Sequence, residues 1–256
     1  MGKIELSGTI VVLALLAVAS LSVVLADPIN PDTLTAGAPS RQGEGSAQSS
    51  VAIAGNVTPL TFQTDTVTKY WQGYYGNISG QIVLADSSGN NLYQWELADP
   101  NGEIYASRYQ SINWTNVDCM LNATVVREDA NLSTDPVLTT DSINRTFNKT
   151  LHKEFSVGSN LFNANTCKST YVNNTGNTDI FQEVLLADHV NLTNNVPTGT
   201  AQLLNRTLYV ALLNRSQTGF AQAPNDFQLI VPENGNGSEE WPNGNPSTFY
   251  FYVEIS

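Results

Sequence analysis

The chain has 256 residues, of which 41% are hydrophobic and 9% aromatic, enough apolar bulk to bury a folded interior and too much for general disorder. Its 11 Lys and Arg stand against 23 Asp and Glu, and the resulting net charge of -12 repels phosphate backbones, which excludes nucleic acid as a partner. Only 13% of residues are charged, so solubility falls to Asn, Ser and Thr, and the surface is polar rather than ionic.

Residues 1–26 read as one export unit. Lys3 lies in a short n-region, an apolar run extends from Ile10 to Leu25, and Val24-Leu25-Ala26 forms a small-residue cleavage pattern before Asp27-Pro28. The first expectation is a cleaved signal peptide. The run also sits at the lower limit for crossing a bilayer, so an uncleaved membrane anchor through residues 9–26 is the second reading. A prepilin leader cut after Gly8 is the third, and Ser7 in place of a basic residue speaks against it.

Residues 27–49, with Pro28, Pro31, Gly37, Pro39, Gly43, Gly45 and a Ser/Gln cluster, have no periodicity and read as a flexible linker. From residue 50 to 256 the pattern changes to short apolar or alternating runs broken by turn signals. That spacing predicts an all-β fold, an antiparallel β-sandwich of immunoglobulin-like or jelly-roll-like type. Ser50 to Ala54 is a short apolar strand. Tyr70 to Tyr109 reads as a meander of four strands, with turns at Asp86-Ser87-Ser88-Gly89-Asn90 and Asp99-Pro100-Asn101-Gly102. Phe147, Leu151 and Phe155 recur at spacing four and predict a short helical insertion. Later strands are expected at Phe181 to Leu186, Leu203 to Leu213, Phe227 to Val231 and Thr248 to Ile255.

Cys119 and Cys167 are the only cysteines, and an even pair in an exported chain reads as one disulfide bracketing that insertion. There is no CxxC and no His at ligand spacing, so metal binding through these thiols is the minor reading.

The densest motif is Asn-x-Ser/Thr, at Asn56, Asn77, Asn113, Asn122, Asn131, Asn144, Asn148, Asn173, Asn191, Asn205, Asn214 and Asn236. With 28 Asn and 46 Ser plus Thr in 256 residues, chance placement gives about 5 such motifs, so twelve exceed accident more than twofold. The motifs therefore predict N-linked glycans as a coat over the domain. Asn56, with Pro59 directly after its Thr58, is the poorest acceptor.

Signals for catalysis are thin, and the chain is read as not an enzyme and without a cofactor. His152 and His189 are the only histidines and neither has a metal-spaced partner; structural or surface roles are expected for both. No GxSxG, HExxH or P-loop is present. Glu96, Asp99, Glu103 and Asp118 are the carboxylates from which a glycosidase pair would come, although Asp99 is an ordinary turn residue. Tyr70, Trp71, Tyr74, Tyr75, Tyr93, Trp95 and Trp114 form either a core or a sugar-stacking platform. Core is the favoured reading, because Trp71 and Trp95 fall in strands expected to be neighbours.

The segments Gly55-Asn56-Val57-Thr58, Tyr70-Trp71-Gln72-Gly73-Tyr74-Tyr75-Gly76-Asn77-Ile78-Ser79-Gly80, Gly102-Glu103-Ile104-Tyr105-Ala106-Ser107 and Asp226-Phe227-Gln228-Leu229-Ile230-Val231-Pro232-Glu233 resemble a family of secreted archaeal surface glycoproteins. The resemblance covers about residues 50 to 256 and implies an archaeal exterior, with no catalytic residue carried across. Some members end in a C-terminal membrane segment, whereas this chain ends in a strand, so membrane attachment is expected from the N-terminus.

The functional expectation is a structural glycoprotein at the cell surface, a subunit of an extracellular filament, pilus or envelope layer. Its partners would be other copies of itself or other envelope proteins, joined by donor-strand complementation through the N-terminal strand. A carbohydrate-binding or adhesion module is the alternative, and a glycosidase a remote one. Native protein is expected to show an intact mass above that of its polypeptide and to lose the excess stepwise on enzymatic deglycosylation. A single species at the bare polypeptide mass would remove the coat.

Overall fold

A computed structural model describes residues 27–43, 46–63, 65, 67–68, 70–96, 101–132, 139–172, 179–189, 205–233 and 247–255. The expected leader and the acceptors Asn173, Asn191 and Asn236 lie outside them, as does Asp99. In chain order the strands are β1 (Trp71–Gly76), β2 (Gln81–Ala85), β3 (Asn91–Glu96), β4 (Gly102–Ser107) and β5 (Val117–Cys119). Two helices follow, α1 (Asn122–Asn131) and α2 (Ile143–Thr146). Then come β6 (Phe155–Val157), β7 (Asn160–Phe162), β8 (Ser169–Tyr171), β9 (Gln182–His189), β10 (Asn205–Leu212), β11 (Gln217–Thr218), β12 (Pro224–Asn225), β13 (Phe227–Pro232) and β14 (Tyr250–Ile255).

The fold is an all-β antiparallel sandwich built around one six-stranded sheet, ordered β14-β4-β10-β9-β5 with β8 also on β9. The central strands read as nearly continuous apolar runs because both of their faces are covered. On one face Tyr105, Leu208, Val210, Val184 and Leu186 pack with Tyr252 and the β6–β7 hairpin, where Phe155 and Phe162 stack at 5.0 Å. On the other, Ala106, Tyr209, Leu185 and Ala187 pack with Leu229 and Val231 of β13 and with Val125, Ile143 and Phe147 from the helical segment. Alternation with period two along β9 and β10 assigns successive residues to the two cores.

The β1–β4 meander does not form. β1 pairs with β13, in register Trp71↔Pro232 to Gly76↔Phe227, and β4 lies between β14 and β10. Among the described residues β2 pairs only with β3. Trp71 and Trp95 are accordingly not cross-strand neighbours: Trp95 faces Ile82, while Trp71 packs on Phe147 at 6.1 Å. The tight turn after β2 is as read, with Asp86 Oδ1 accepting from the Ser88 and Asn90 N–H groups and Gly89 at φ 82. What fails is the step from short connection to neighbour, since burial of β1 and β4 in different layers outweighs sequence proximity.

Helix placement also differs from expectation. Phe147 ends α2, Leu151 is exposed in irregular chain and Phe155 begins β6, so their spacing of four marks no helix. The longer helix α1 lies earlier. It carries few apolar residues and no side-chain N-cap, and tertiary contacts hold it: Val125 and the following Leu132 are buried, and Glu128 pairs with Arg108. Asp129 of α1 accepts from the Ile143 N–H at 2.7 Å and the Asn144 N–H at 3.1 Å, capping α2. Cys119 and Cys167 form the disulfide, with Cα atoms 5.0 Å apart, and it brackets both helices and the β6–β7 hairpin.

Ser50 to Ala54 forms no strand in the subunit; Ala54 and Gly55 make a turn and Val51 is 86% exposed. The start of the linker, by contrast, is docked: Pro28 is buried and Ile29 exchanges two backbone hydrogen bonds with Val253 of β14. Replacing both cysteines with Ser is expected to lower unfolding free energy by about 4 kcal/mol for a loop of this size. Leu92→Ala, on the exposed β3, is expected to change it by less than about 0.5 kcal/mol. Denaturant titration of the two variants checks the contrast.

Candidate functional site

The surface was first expected to matter for its glycans. Asn56, Asn77, Asn113, Asn122, Asn131 and Asn148 are exposed, whereas Asn144 and Asn214 are half-buried. At the exposed Asn113 the Thr115 hydroxyl donates to the amide oxygen at 2.7 Å. Asn214 is different, because its Nδ2 donates to the Ile180 carbonyl at 2.8 Å and serves the fold. Asn205 lies at the start of β10, opposite His189.

Of the carboxylates singled out from sequence, the three among the described residues do not form a facing pair with one another. Glu96 ends β3 and is exposed, Asp118 is exposed on β5, and Glu103 is buried on β4. β4 and β5 are separated by β10 and β9, three strand spacings or about 14 Å. Glu103 instead faces Glu254, its register partner on β14. Tyr105 donates its hydroxyl to Glu254 at 3.0 Å, the Gly158 N–H donates to both Glu254 oxygens, and Lys153 acts on Glu103 while donating to the Leu213 carbonyl. Burial first, and the Glu254 charge second, push the Glu103 carboxyl up to about 8, with Lys153 opposing them. Burial likewise raises Glu254, against the hydrogen bonds from Gly158 and Tyr105. The sequence held a clue to this pair, two Glu near the ends of two apolar strands, but not the pairing that opposes them.

Neither Glu103 nor Glu254 lines the two clefts identified. The larger, about 640 Å³, runs between Asn77–Gln81, Glu96 and Arg215–Ser216, and Asp226 lines it. Asp226 is committed to structure there, accepting from the Ile78 and Ser216 N–H groups at 3.0 and 2.8 Å. The smaller, about 430 Å³, lies beside Pro28–Asn30, Gln110–Ile112, Trp114 and Tyr252. Glu183 is fully buried on the other face of the sheet, one oxygen accepting from the Ile230 N–H and the other without a partner, and burial drives its carboxyl well above the usual range.

His152 is part of the fold. Its Nε2 accepts from the Thr166 and Cys167 N–H groups at 3.0 and 2.9 Å while Nδ1 donates to the Lys153 carbonyl, so both ring nitrogens brace the chain at the disulfide. Among the described residues no group of His, Cys, Asp and Glu is arranged to hold a metal ion.

The aromatic residues divide. Trp71 donates to the Asp141 carbonyl and Trp114 sits edge-on between Tyr105 and Tyr252, both half-buried against the cores. Tyr70 and Tyr74 are half-buried, Tyr74 edge-on to Phe251, while the exposed Tyr75 packs on Phe220. Trp95 and Tyr93 are exposed, with rings at 63° rather than coplanar, which is not the flat surface a sugar ring stacks upon.

What stands out is therefore apolar and exposed rather than polar and enclosed. Ile82, Val83, Leu84, Leu92, Tyr93 and Trp95 of the β2–β3 hairpin are each 48% exposed or more, and so are Val51, Ile53, Val57, Leu60 and Phe62 before β1. Large contiguous apolar exposure on a folded chain marks an interaction surface. Compared with protein-family models, curated proteins and solved structures, the chain matches none.

The buried Glu103 makes stability pH-dependent with a definite sign. The folded state holds this proton to about pH 8 while the unfolded chain releases it near pH 4.5. Unfolding thus releases a proton between those values, and stability falls as pH rises through that window, by about 5 kcal/mol from this group at the upper limit. Glu103→Gln is expected to flatten that fall. Denaturant titrations at both ends of the window check it, and equal slopes for variant and wild type would count against the assignment.

Proposed function

We propose that the chain is a structural glycoprotein of the cell exterior, a subunit that assembles with copies of itself into a filament or envelope layer by adding a strand to a neighbouring subunit. One observation carries this reading: residues 50–54 are apolar, exposed and without a sheet partner among the described residues, with Val51 86% and Ile53 64% exposed. An exposed apolar stretch of this kind, preceded by a Gly/Pro/Ser-rich linker, is what strand addition between subunits draws on. Three further features support it. The twelve acceptor motifs and the signal-like N-terminus suit an exported protein. The disulfide suits an oxidising compartment. Interior positions that would otherwise suggest chemistry, Glu103 and His152, are taken up in packing and hydrogen bonds.

Native material is expected to appear as polymers in electron micrographs, and deletion of residues 46–58, which spares Pro28 and Ile29 docked on the fold, is expected to leave folded monomers. Polymers unaltered by the deletion would refute strand donation by this segment, and native protein that stays monomeric would refute the assembly reading itself.

A further inference from the structure

We propose that the acceptor for residues 50–54 is the free edge of β2 in a second copy of this chain, converting the β2–β3 hairpin into a three-stranded sheet shared between subunits. The inference rests on the assembly reading above and names its partner surface.

The hairpin is incomplete as it stands. Every residue of β2 and β3 is exposed. The register sets Ile82 opposite Trp95 and Leu84 opposite Tyr93, so one face of the hairpin carries four large apolar side chains, each about half exposed. An isolated two-stranded hairpin is marginally stable in water, and a third strand with an apolar face is the usual remedy. The outer edge of β2 also lacks the devices that keep edges from pairing. Gln81–Ala85 contains no Lys, Asp, Glu or Pro, and the register shift is confined to its last pair, Leu84/Ala85. The edge of the main sheet is occupied by comparison, since Ile29 is already hydrogen-bonded to β14.

The donor matches this edge in length, pattern and charge. Ser50-Val51-Ala52-Ile53-Ala54 has the same five residues' length as β2. In an extended conformation Val51 and Ile53 share one face and extend the Ile82/Leu84/Tyr93/Trp95 surface, while Ala52 and Ala54 offer no bulk on the other. Gly55, at φ 89, then turns the chain away at the end of the donor. Residues 45–64 hold no charged side chain, and neither does β2. In a chain of net charge -12 these two surfaces therefore meet without the like-charge repulsion that other faces of two copies would suffer. Among the described residues of one subunit neither the donor run nor the outer edge of β2 has a strand partner, which points to a neighbouring copy as the occupant.

The test uses the full chain, whose only cysteines are joined in the disulfide, so introduced thiols report without background. Ala52→Cys and Val83→Cys lie mid-strand in donor and acceptor, both on exposed residues. Oxidising a mixture of the two variants is expected to give a disulfide-linked dimer joining residue 52 of one chain to residue 83 of the other, and the doubly substituted chain is expected to give covalent ladders. Linkage of A52C to Val253→Cys on β14 instead, with polymers still seen by sedimentation, would overturn the β2 acceptor and leave the assembly reading standing. A linkage confined within single A52C/V83C chains would place the donor in its own subunit and overturn the proposal. Monomers throughout, with no linkage between chains, would overturn both.

Discussion

Seven consecutive register pairs join β9 to β10, from Asn205↔His189 to Ala211↔Glu183, and Glu183–Asp188 and Thr207–Leu212 are buried on both faces. With no solvated side, this ladder obliges every flanking element to cover one core or the other. Glu103, Asp188 and Glu183 show how strict the obligation is. Asp188 takes hydrogen bonds from the Asn113 N–H and from Arg206, Glu103 faces Glu254 and Lys153, and Glu183 accepts the Ile230 N–H of the opposing layer. A carboxyl enters such a core only neutral or with partners. The covering elements follow from this requirement: β6–β7 on one side, and β1–β13 with the two helices on the other.

The β2–β3 hairpin escapes the obligation entirely. It has the turn chemistry of a well-formed hairpin, yet it lies against neither core and leaves its aromatic and aliphatic side chains in water. The run before β1 is in the same position, exposed and apolar. Two such features in one chain, one lacking a strand and the other lacking a sheet, are complementary deficits. In the proposed assembly each is made good by the next copy. Acceptor motifs at Asn113, Asn122, Asn131 and Asn148 sit on exposed positions outside the hairpin and the donor, whereas Asn56 lies just after the donor and Asn77 lines a cleft with Gln81 and Val83 of β2.

The sequence disclosed strands more readily than their partners. Runs such as Phe181 to Leu186 and Phe227 to Val231 are legible because a strand buried on both faces is apolar throughout. The pairing of β1 with β13 is not legible, since it joins residues far apart in the chain and depends on which layer each strand covers. α1 was hidden because Val125 and Leu132 are its main apolar contacts, too few to print a helical period, while Phe147, Leu151 and Phe155 imitated one by coincidence. For the candidate site, the donor run Ser50 to Ala54 was visible as an orphan apolar segment. The exposure of the hairpin was not, because Tyr93 and Trp95 read in sequence as core residues and only the tertiary arrangement leaves them uncovered.

If the account is right, residues 50–54 are unpaired in the subunit and paired in the assembly. Amide hydrogen exchange on native assemblies and on dissociated subunits measures this directly. The account predicts fast exchange across residues 50–54 in dissociated subunits and strong protection of the same amides in the assembly. Equal exchange in the two states would contradict it.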